Sequence, residues 1–331
     1  MTTSIQDTSD RPGISASPSL TSVFTRCAIC GTDTGEPVGV GEDFEYRTVP
    51  DTFIAVQCPT CGLVYLNPRP AESELSTIYP ANYHAFIFTP EQFGFVFKVR
   101  RWLESRRVRR WCRGLSPTAK ILDVGCGDGF HLKLLKDFGE PRWTLQGLDL
   151  DERAVTAARR NGLDVQQGTI ETANLPTGSY DLILLIMTIE HVANPRAMLA
   201  EIYHLLKPGG RFVIVTDNIG SLSFRLFRGR HWGGYHFPRH WNLFDKRSLV
   251  SLSQQVGFEP VRAGTATSPV NWVYSIRNLL DDWGAPPWLV NRFSLHTPLS
   301  LSIFTIVDMI QNVVDRGSTL QVILRKPQAT R

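Results

Sequence analysis

The sequence predicts an α/β protein: a doubly wound, mainly parallel sheet preceded by a small four-cysteine module. Three observations carry this expectation. Apolar runs alternate with amphipathic segments between residues 120 and 216, a glycine-rich turn follows the first run, and four of six cysteines form two identical pairs. With 331 residues, 42% of them hydrophobic and 20% charged, the chain can bury a core, and two domains are expected rather than a disordered polymer.

The first 22 residues hold ten Ser or Thr and no apolar stretch, so they read as a disordered tail and not as a secretory signal. No run approaches the roughly 18 apolar residues of a membrane span. A cytoplasmic location is therefore expected, with peripheral membrane contact as an open addition.

The paired cysteines come next, in a module expected over residues 23–70. Cys27-Ala28-Ile29-Cys30-Gly31 and Cys58-Pro59-Thr60-Cys61-Gly62 are two C-x2-C-G knuckles. The two-residue gap lets both sulfurs of a turn reach one ion, and four thiolates close a tetrahedral zinc site with no position left for catalysis. Cys27, Cys30, Cys58 and Cys61 are thus the expected ligands of a structural Zn2+. Disulfides and a redox pair are the rival readings. Cys112 and Cys126 lie outside the pattern and are expected to be unbridged.

Residues 71–118 read as a helical linker. Within it, residues 98–113 hold eight basic side chains against Glu104 alone, so the chain's net charge of +4 is local. Phe95, Val99, Trp102 and Leu103 share one helical face, expected to pack on the catalytic domain and leave the basic second half solvated. A sharper reading has this segment, with nearby Phe86, Phe88, Phe93 and Phe97, meeting anionic lipid or a phosphorylated acceptor.

From residue 119 the α/β rhythm begins. Lys120–Val124, Thr144–Leu150, Tyr180–Met187 and Arg211–Thr216 read as strands; Phe130–Phe138, Glu152–Asn161 and Pro195–Leu206 read as helices, the last stopped by Lys207-Pro208-Gly209-Gly210. Such a sheet binds its ligand at the carboxyl ends of its strands. There the first strand runs into Asp123-Val124-Gly125-Cys126-Gly127-Asp128-Gly129. The glycines permit a tight turn at a helix start, but Asp123 and Asp128 would repel a pyrophosphate. Asp149, about 20 residues beyond the loop, is placed for ribose hydroxyls. An adenosine with a cationic tail satisfies both features, which is S-adenosylmethionine.

At this point the sequence resembles the class I S-adenosylmethionine-dependent methyltransferases. The resemblance is carried by ILDVGCGDG (121–129), GLDLDERAV (147–155), SYDLILLIMTIEHV (179–192) and LLKPGGRFVIVTDN (205–218). It implies a Rossmann-like seven-stranded sheet with its last strand antiparallel. It also implies that Asp123, Gly125, Gly127 and Gly129 hold the methionine end and Asp149 the ribose. Ile170 and Glu171 would border the adenine, and Cys126, Leu150 and Met187 complete the cofactor-binding set. CGLVYLNPRP (61–70), WGGYHFPRHWNLFD (232–245) and GSTLQVILRKP (317–327) are similar to segments of a bacterial subgroup with a zinc-ribbon-like module. Ubiquinone-pathway relatives carry a glutamate three residues before a Glu-His pair; Met187 stands there in this chain, so a metal held by Glu-x-x-Glu-His is not expected.

Methyl transfer to oxygen or carbon requires alignment and removal of a proton from the acceptor. His191, at the ligand edge of the sheet, is one candidate base, and its bland alternative is to cap a loop beside Glu190. His236 and His240, in the aromatic segment 229–245, are two more. Arg239 is a candidate anchor for an acidic acceptor. The bland alternative for this segment is a lid whose groups bond one another. An insertion at about 265–316 is expected to form helices with a turn at 284–287. The leading reading is methyl transfer to a small-molecule acceptor such as a sugar, lipid-linked or natural-product nucleophile. An RNA methyltransferase is the alternative, although nucleic acid is disfavoured because the Asn-Pro-Pro-Tyr type motif is absent at 187–190. A non-catalytic zinc-containing binding protein is the third reading.

Overall fold

The computed structural model describes residues 20–80, 83 and 90–328, with the side chains of 90–93 excluded. Nearly all of the expected tail, together with Phe86, Phe88 and the side chain of Phe93, lies outside the described residues.

The main sheet has seven strands: β6 (Lys120–Val124), β7 (Thr144–Asp149), β8 (Val165–Gln167), β9 (Tyr180–Ile186), β10 (Leu206–Asp217), β12 (Glu259–Ala266) and β13 (Thr319–Arg325). Their order is β12-β13-β10-β9-β6-β7-β8. The last strand, β13, is antiparallel to both of its neighbours, whereas β8, β7, β6, β9 and β10 pair in parallel. Strand β9 is central, and Leu182 to Leu185 are wholly buried because helices cover both faces. The turn expected at 207–210 is instead absorbed into β10: Leu206 pairs with Tyr180, the register shifts, and Arg211 pairs with Leu182. Gly209, at φ +77°, makes that bulge possible.

The helices of the sheet begin where side-chain caps can satisfy their first amides. Asp151 caps α4 (Glu152–Arg160), Asn194 caps α5 (Pro195–Leu205), and Asp245 closes a capping box on α7 (Lys246–Val256). Helix α3 (Phe130–Phe138) starts directly from Gly129.

The cysteine module is not closed on itself. Its strands β2 (Glu36–Gly41), β3 (Phe53–Gln57) and β4 (Val64–Leu66) are joined by β11 (Asn242–Leu243), which pairs Asn242 with Tyr65 and Leu243 with Val64. Cys27, Ile29, Cys58, Leu63 and Tyr65 share one apolar core with Leu199 and Ile202 of α5 and Leu249 and Leu252 of α7. A two-residue ladder of β1 (Ser22–Val23) with β5 (Arg69–Pro70) ties down the start of the segment.

The basic helix departs from expectation. Helix α2 (Pro90–Trp111), kinked at Gly94, follows the short α1 (Leu75–Ile78). It packs through its second half: Val108, Trp111 and Cys112 join Ile121, Leu132 and Leu135 in the second core. The stripe expected to be buried is the outward one, with Phe95 69% and Trp102 53% exposed. Arg101 pairs with Asp137 and Arg107 with Glu104, so part of the basic charge is neutralised.

Between β12 and β13 the chain forms α8 (Val270–Asp282), α9 (Pro287–Val290) and α10 (Pro298–Val313), with α6 (Leu222–Phe227) earlier, after β10. The expected turn falls between α8 and α9. Among the described residues, no helix is long and apolar enough to cross a membrane.

Candidate active site

The carboxyl ends of β6, β7 and β9 form one edge. Gly125, Gly127 and Gly129 all have positive φ (+70°, +55° and +82°), which lets the loop leave β6 and enter α3 within a few residues. A Cβ on Gly125 would fall 2.4 Å from Thr188 Oγ1, and one on Gly129 would fall 2.3 Å from Leu163. Asp149 Oδ2 accepts from Gly127 N at 2.7 Å, so the ribose-side acid also pins the loop.

Asp123 is buried, and among the described residues its Oδ2 has no hydrogen-bond partner. Burial pushes its carboxyl up to about 7, opposed by the field of His131 and reinforced by the charge of Asp149. Burial also raises Asp149, against the amides of Asp151 and Gly127 that lower it. Two desolvated carboxylates beside a glycine turn suit a ligand bearing an adenosine and a positive charge. The residues present therefore fit S-adenosylmethionine. Leu150 is exposed beyond the end of β7, Ile170 is buried, and Glu171 is exposed beside it. Met187, just past β9, has a left-handed backbone at φ +51°, rare for a non-glycine and typical of a functional edge.

Next to this edge the three candidate histidines cluster. The ring of His240 lies 4.6 Å from His191 and 4.9 Å from His236, centroid to centroid. His240 Nδ1 donates to Gly234 O at 2.8 Å, which fixes its tautomer, and burial holds its pKa well below the ordinary value. His191 Nδ1 lies 2.8 Å from Tyr79 OH and 3.1 Å from Arg239 O. His236 Nδ1 lies 2.6 Å from Glu45 Oε2. Glu190 is wholly buried and takes a hydrogen bond from Thr216 Oγ1 at 2.8 Å. Burial, with the charge of Asp217, lifts it to about 8. Ligand atoms of Glu190, His191 and His240 lie within 4.8 Å of one another.

Arg239 is not an anchor for an acceptor. It is fully buried and holds Asp43 through both guanidinium nitrogens, at 2.7 and 3.1 Å, while its Nε donates to Ile78 O at 2.6 Å. A charge satisfied on every side has nothing left for a ligand. The surrounding segment is both wall and brace: Trp232, Tyr235 and Phe237 are buried and pack on one another, with Tyr235 and Phe237 stacked at 4.8 Å.

Several site residues were not picked out from sequence: Asp43 and Glu45 of the cysteine-bearing segment, and Tyr79 and Tyr83 of the linker that follows it. The only local hint is the alternation of acids and aromatics in Glu42-Asp43-Phe44-Glu45-Tyr46. With Phe44, His236, Tyr235 and Trp232, and with Tyr274 and Asn278 of α8, Glu45 lines a small cavity of about 20 Å³. The insertion thus contributes a wall, since Ser275 Oγ also accepts from Gly233 N at 2.9 Å.

The four cysteines form a separate centre. Their sulfurs lie within 4.8 Å of one another, with Cys27–Cys61 and Cys30–Cys58 at 3.4 Å. That is too long for a disulfide of about 2.05 Å and near the roughly 3.8 Å edge of a tetrahedron built on Zn–S bonds of about 2.3 Å. The two knuckles repeat one geometry: Gly31 N donates to Cys27 O and Gly62 N to Cys58 O, with both glycines left-handed. These thiols fit a structural Zn2+. Cys112 and Cys126 are buried and free.

A family described as a methyltransferase domain matches residues 99–263. A ubiquinone biosynthesis O-methyltransferase of Cereibacter sphaeroides is 31% identical over 169 residues, spanning 47% of this chain and 67% of that protein. A probable S-adenosylmethionine-dependent methyltransferase of Mycolicibacterium smegmatis is 29% identical over 156 residues, 46% of this chain and 56% of the relative. Phosphoethanolamine N-methyltransferase 2 of Haemonchus contortus, solved in complex with S-adenosyl-L-methionine, shares the fold with a TM-score of 0.53 at 16% identity, covering 89% of this chain and 69% of that one. With the glycine turn, the two acids beside it and the sheet order in agreement, the chain belongs to the class I S-adenosylmethionine-dependent methyltransferases.

Proposed function

We propose that the chain methylates an oxygen or carbon nucleophile of a small-molecule acceptor, with His236 as the group that takes the acceptor's proton. The observation that carries this reading is the pairing of Glu45 Oε2 with His236 Nδ1 at 2.6 Å in a small cavity beside His240. Bound S-adenosylmethionine supplies an electrophilic methyl group on a sulfonium. The chain's own residues then have three tasks.

Asp123, Asp149 and the glycine turn hold the donor's charge and ribose. The packed walls from Trp232, Tyr235 and α8 position the acceptor and exclude water, which raises the fraction of productive encounters. Glu45 accepts from His236 Nδ1–H, so Nε2 is the basic nitrogen, and the carboxylate stabilises the imidazolium formed on proton transfer. His191, steadied by Tyr79, and neutral His240 extend the polar face.

Incubating the zinc-loaded chain with methyl-labelled S-adenosylmethionine and a mixed extract of small metabolites and RNA tests the reading. Label is expected in the small-molecule fraction, and the His236→Ala chain should bind cofactor yet transfer little label. Label passing into RNA would overturn the acceptor class; undiminished transfer by the variant would overturn the base.

A further inference from the structure

Two helices present apolar side chains to solvent in rows. Along α10, Leu299, Ile303, Ile306, Met309, Ile310 and Val313 are between 49% and 86% exposed. The only charged residue of that helix, Asp308, points inward and accepts from Ser268 N, Ser318 N and Ser318 Oγ. The ordinary arrangement of an amphipathic helix is thus inverted, with polar contacts inside and hydrocarbon outside.

On α2 the outward row is Phe95, Val99, Trp102 and Leu103, interleaved with exposed Lys98, Arg106 and Arg110. The guanidinium of Arg106 sits 4.3 Å above the Trp102 ring. Among the described residues, none of these three cations is held in an ion pair. A short seam links α2 to the inner side of α10: Arg107 Nη2 donates to Thr267 O at 2.5 Å, and the next residue, Ser268, donates its amide to Asp308 Oδ2 at 2.8 Å. Leu103 and Arg110 lie one turn to either side of Arg107, so the exposed row of α2 borders that seam.

We propose that α2 and α10 together form a docking face for an anionic lipid bilayer. Charge decides the occupant. Among the described residues of the two helices the acids are turned in, Asp308 buried and Glu104 paired with Arg107, so the two rows carry hydrocarbon and positive charge. A second copy placed on it would oppose cation to cation. A surface of phosphate headgroups over acyl chains complements both features, and tryptophan with arginine is the composition of a helix lying at that boundary. This inference does not depend on the choice of base or acceptor.

Flotation of the full, zinc-loaded chain with phosphatidylcholine vesicles, with and without added phosphatidylglycerol, tests it. Binding is expected only with the anionic lipid and should weaken as salt is raised. The double change Arg106→Ser and Arg110→Ser should lower partitioning about 30-fold, which corresponds to about 1 kcal/mol for each cation near a charged surface. Ile306→Glu with Ile310→Glu should abolish flotation while leaving cofactor binding and the melting temperature of the chain in place. Equal binding to neutral vesicles, or none to either, overturns the proposal. So does a dimer in sedimentation that the glutamate variant dissolves, which would give the face to a second copy. Retention on single-stranded RNA, lost with the arginines and kept with the glutamates, would overturn it as well.

Discussion

Glu45 Oε2 and His236 Nδ1 stand 2.6 Å apart, joining the cysteine-bearing segment to the loop that follows β10. If this pair moves the acceptor's proton, His236→Ala should lower kcat by about 10²- to 10⁴-fold with an unchanged affinity for S-adenosylhomocysteine. Glu45→Gln should cost less and shift the acidic limb of the kcat profile downward, because the imidazolium loses its counter-charge. Steady-state kinetics against pH, with calorimetry for the cofactor product, separates this from a packing defect.

Asp123 predicts a pH dependence of cofactor affinity. In the free protein its carboxyl titrates near 7. A cationic ligand favours the ionised form and lowers that value, so binding releases a proton and affinity rises with pH. The gain should be about fivefold between about pH 6 and 7, and it should flatten above, where α-amino groups themselves begin to titrate at about 7.7–8.0. Calorimetry in two buffers of different ionisation enthalpy reads the proton directly. Asp123→Asn should weaken binding and remove the slope; a slope that survives the change would place the titrating group elsewhere.

The buried pair of Arg239 and Asp43 predicts an asymmetric mutational response. Arg239→Met strands a carboxylate that, against the cost of burial, the guanidinium, Thr48 N and Tyr46 N now hold below its usual value. The expected loss is about 3–5 kcal/mol in urea unfolding. The double change Arg239→Met with Asp43→Asn should recover part of it. Losses of the two single variants that simply add in the double variant would show that the pair is not coupled.

The cysteine centre predicts that metal and global stability are linked. Cys27 and Cys58 lie in the same apolar core as Leu122 and Ile183 of the main sheet. Chelation, or Cys58→Ser, should therefore lower the single melting transition of the whole chain and not melt a separate unit. Differential scanning calorimetry with elemental analysis distinguishes the two, and a two-step melt would contradict the shared core.

What could be read from sequence and what could not follows the range of the interactions. The glycine turn, Asp149 and the two cysteine knuckles were legible because each is a local pattern with a backbone reason; the antiparallel last strand was legible only through the family resemblance. Glu45, Asp43 and Tyr79 were not, since their roles come from distant segments converging. Helix α2 misled for a different cause: it carries apolar residues on opposite sides, Phe95, Val99 and Trp102 on one and Val108, Trp111 and Cys112 on the other, and periodicity cannot say which faces inward. Arg239 misled because its partner Asp43 lies far away in sequence, and an arginine in an aromatic loop looks available until that partner is known.

The pairing of Asn242 with Tyr65 has a consequence for the order in which the molecule can be made. The fourth strand of the cysteine module's sheet leaves the ribosome more than half a chain length after the first three. Until then the knuckles have ligands in place but an open sheet edge and no α5 or α7 to cover their apolar side. Closing so long a loop is entropically slow, so the early segment must wait, exposed, for the later one. A zinc ion captured by the knuckles would hold the waiting turns in shape until α5, α7 and β11 arrive.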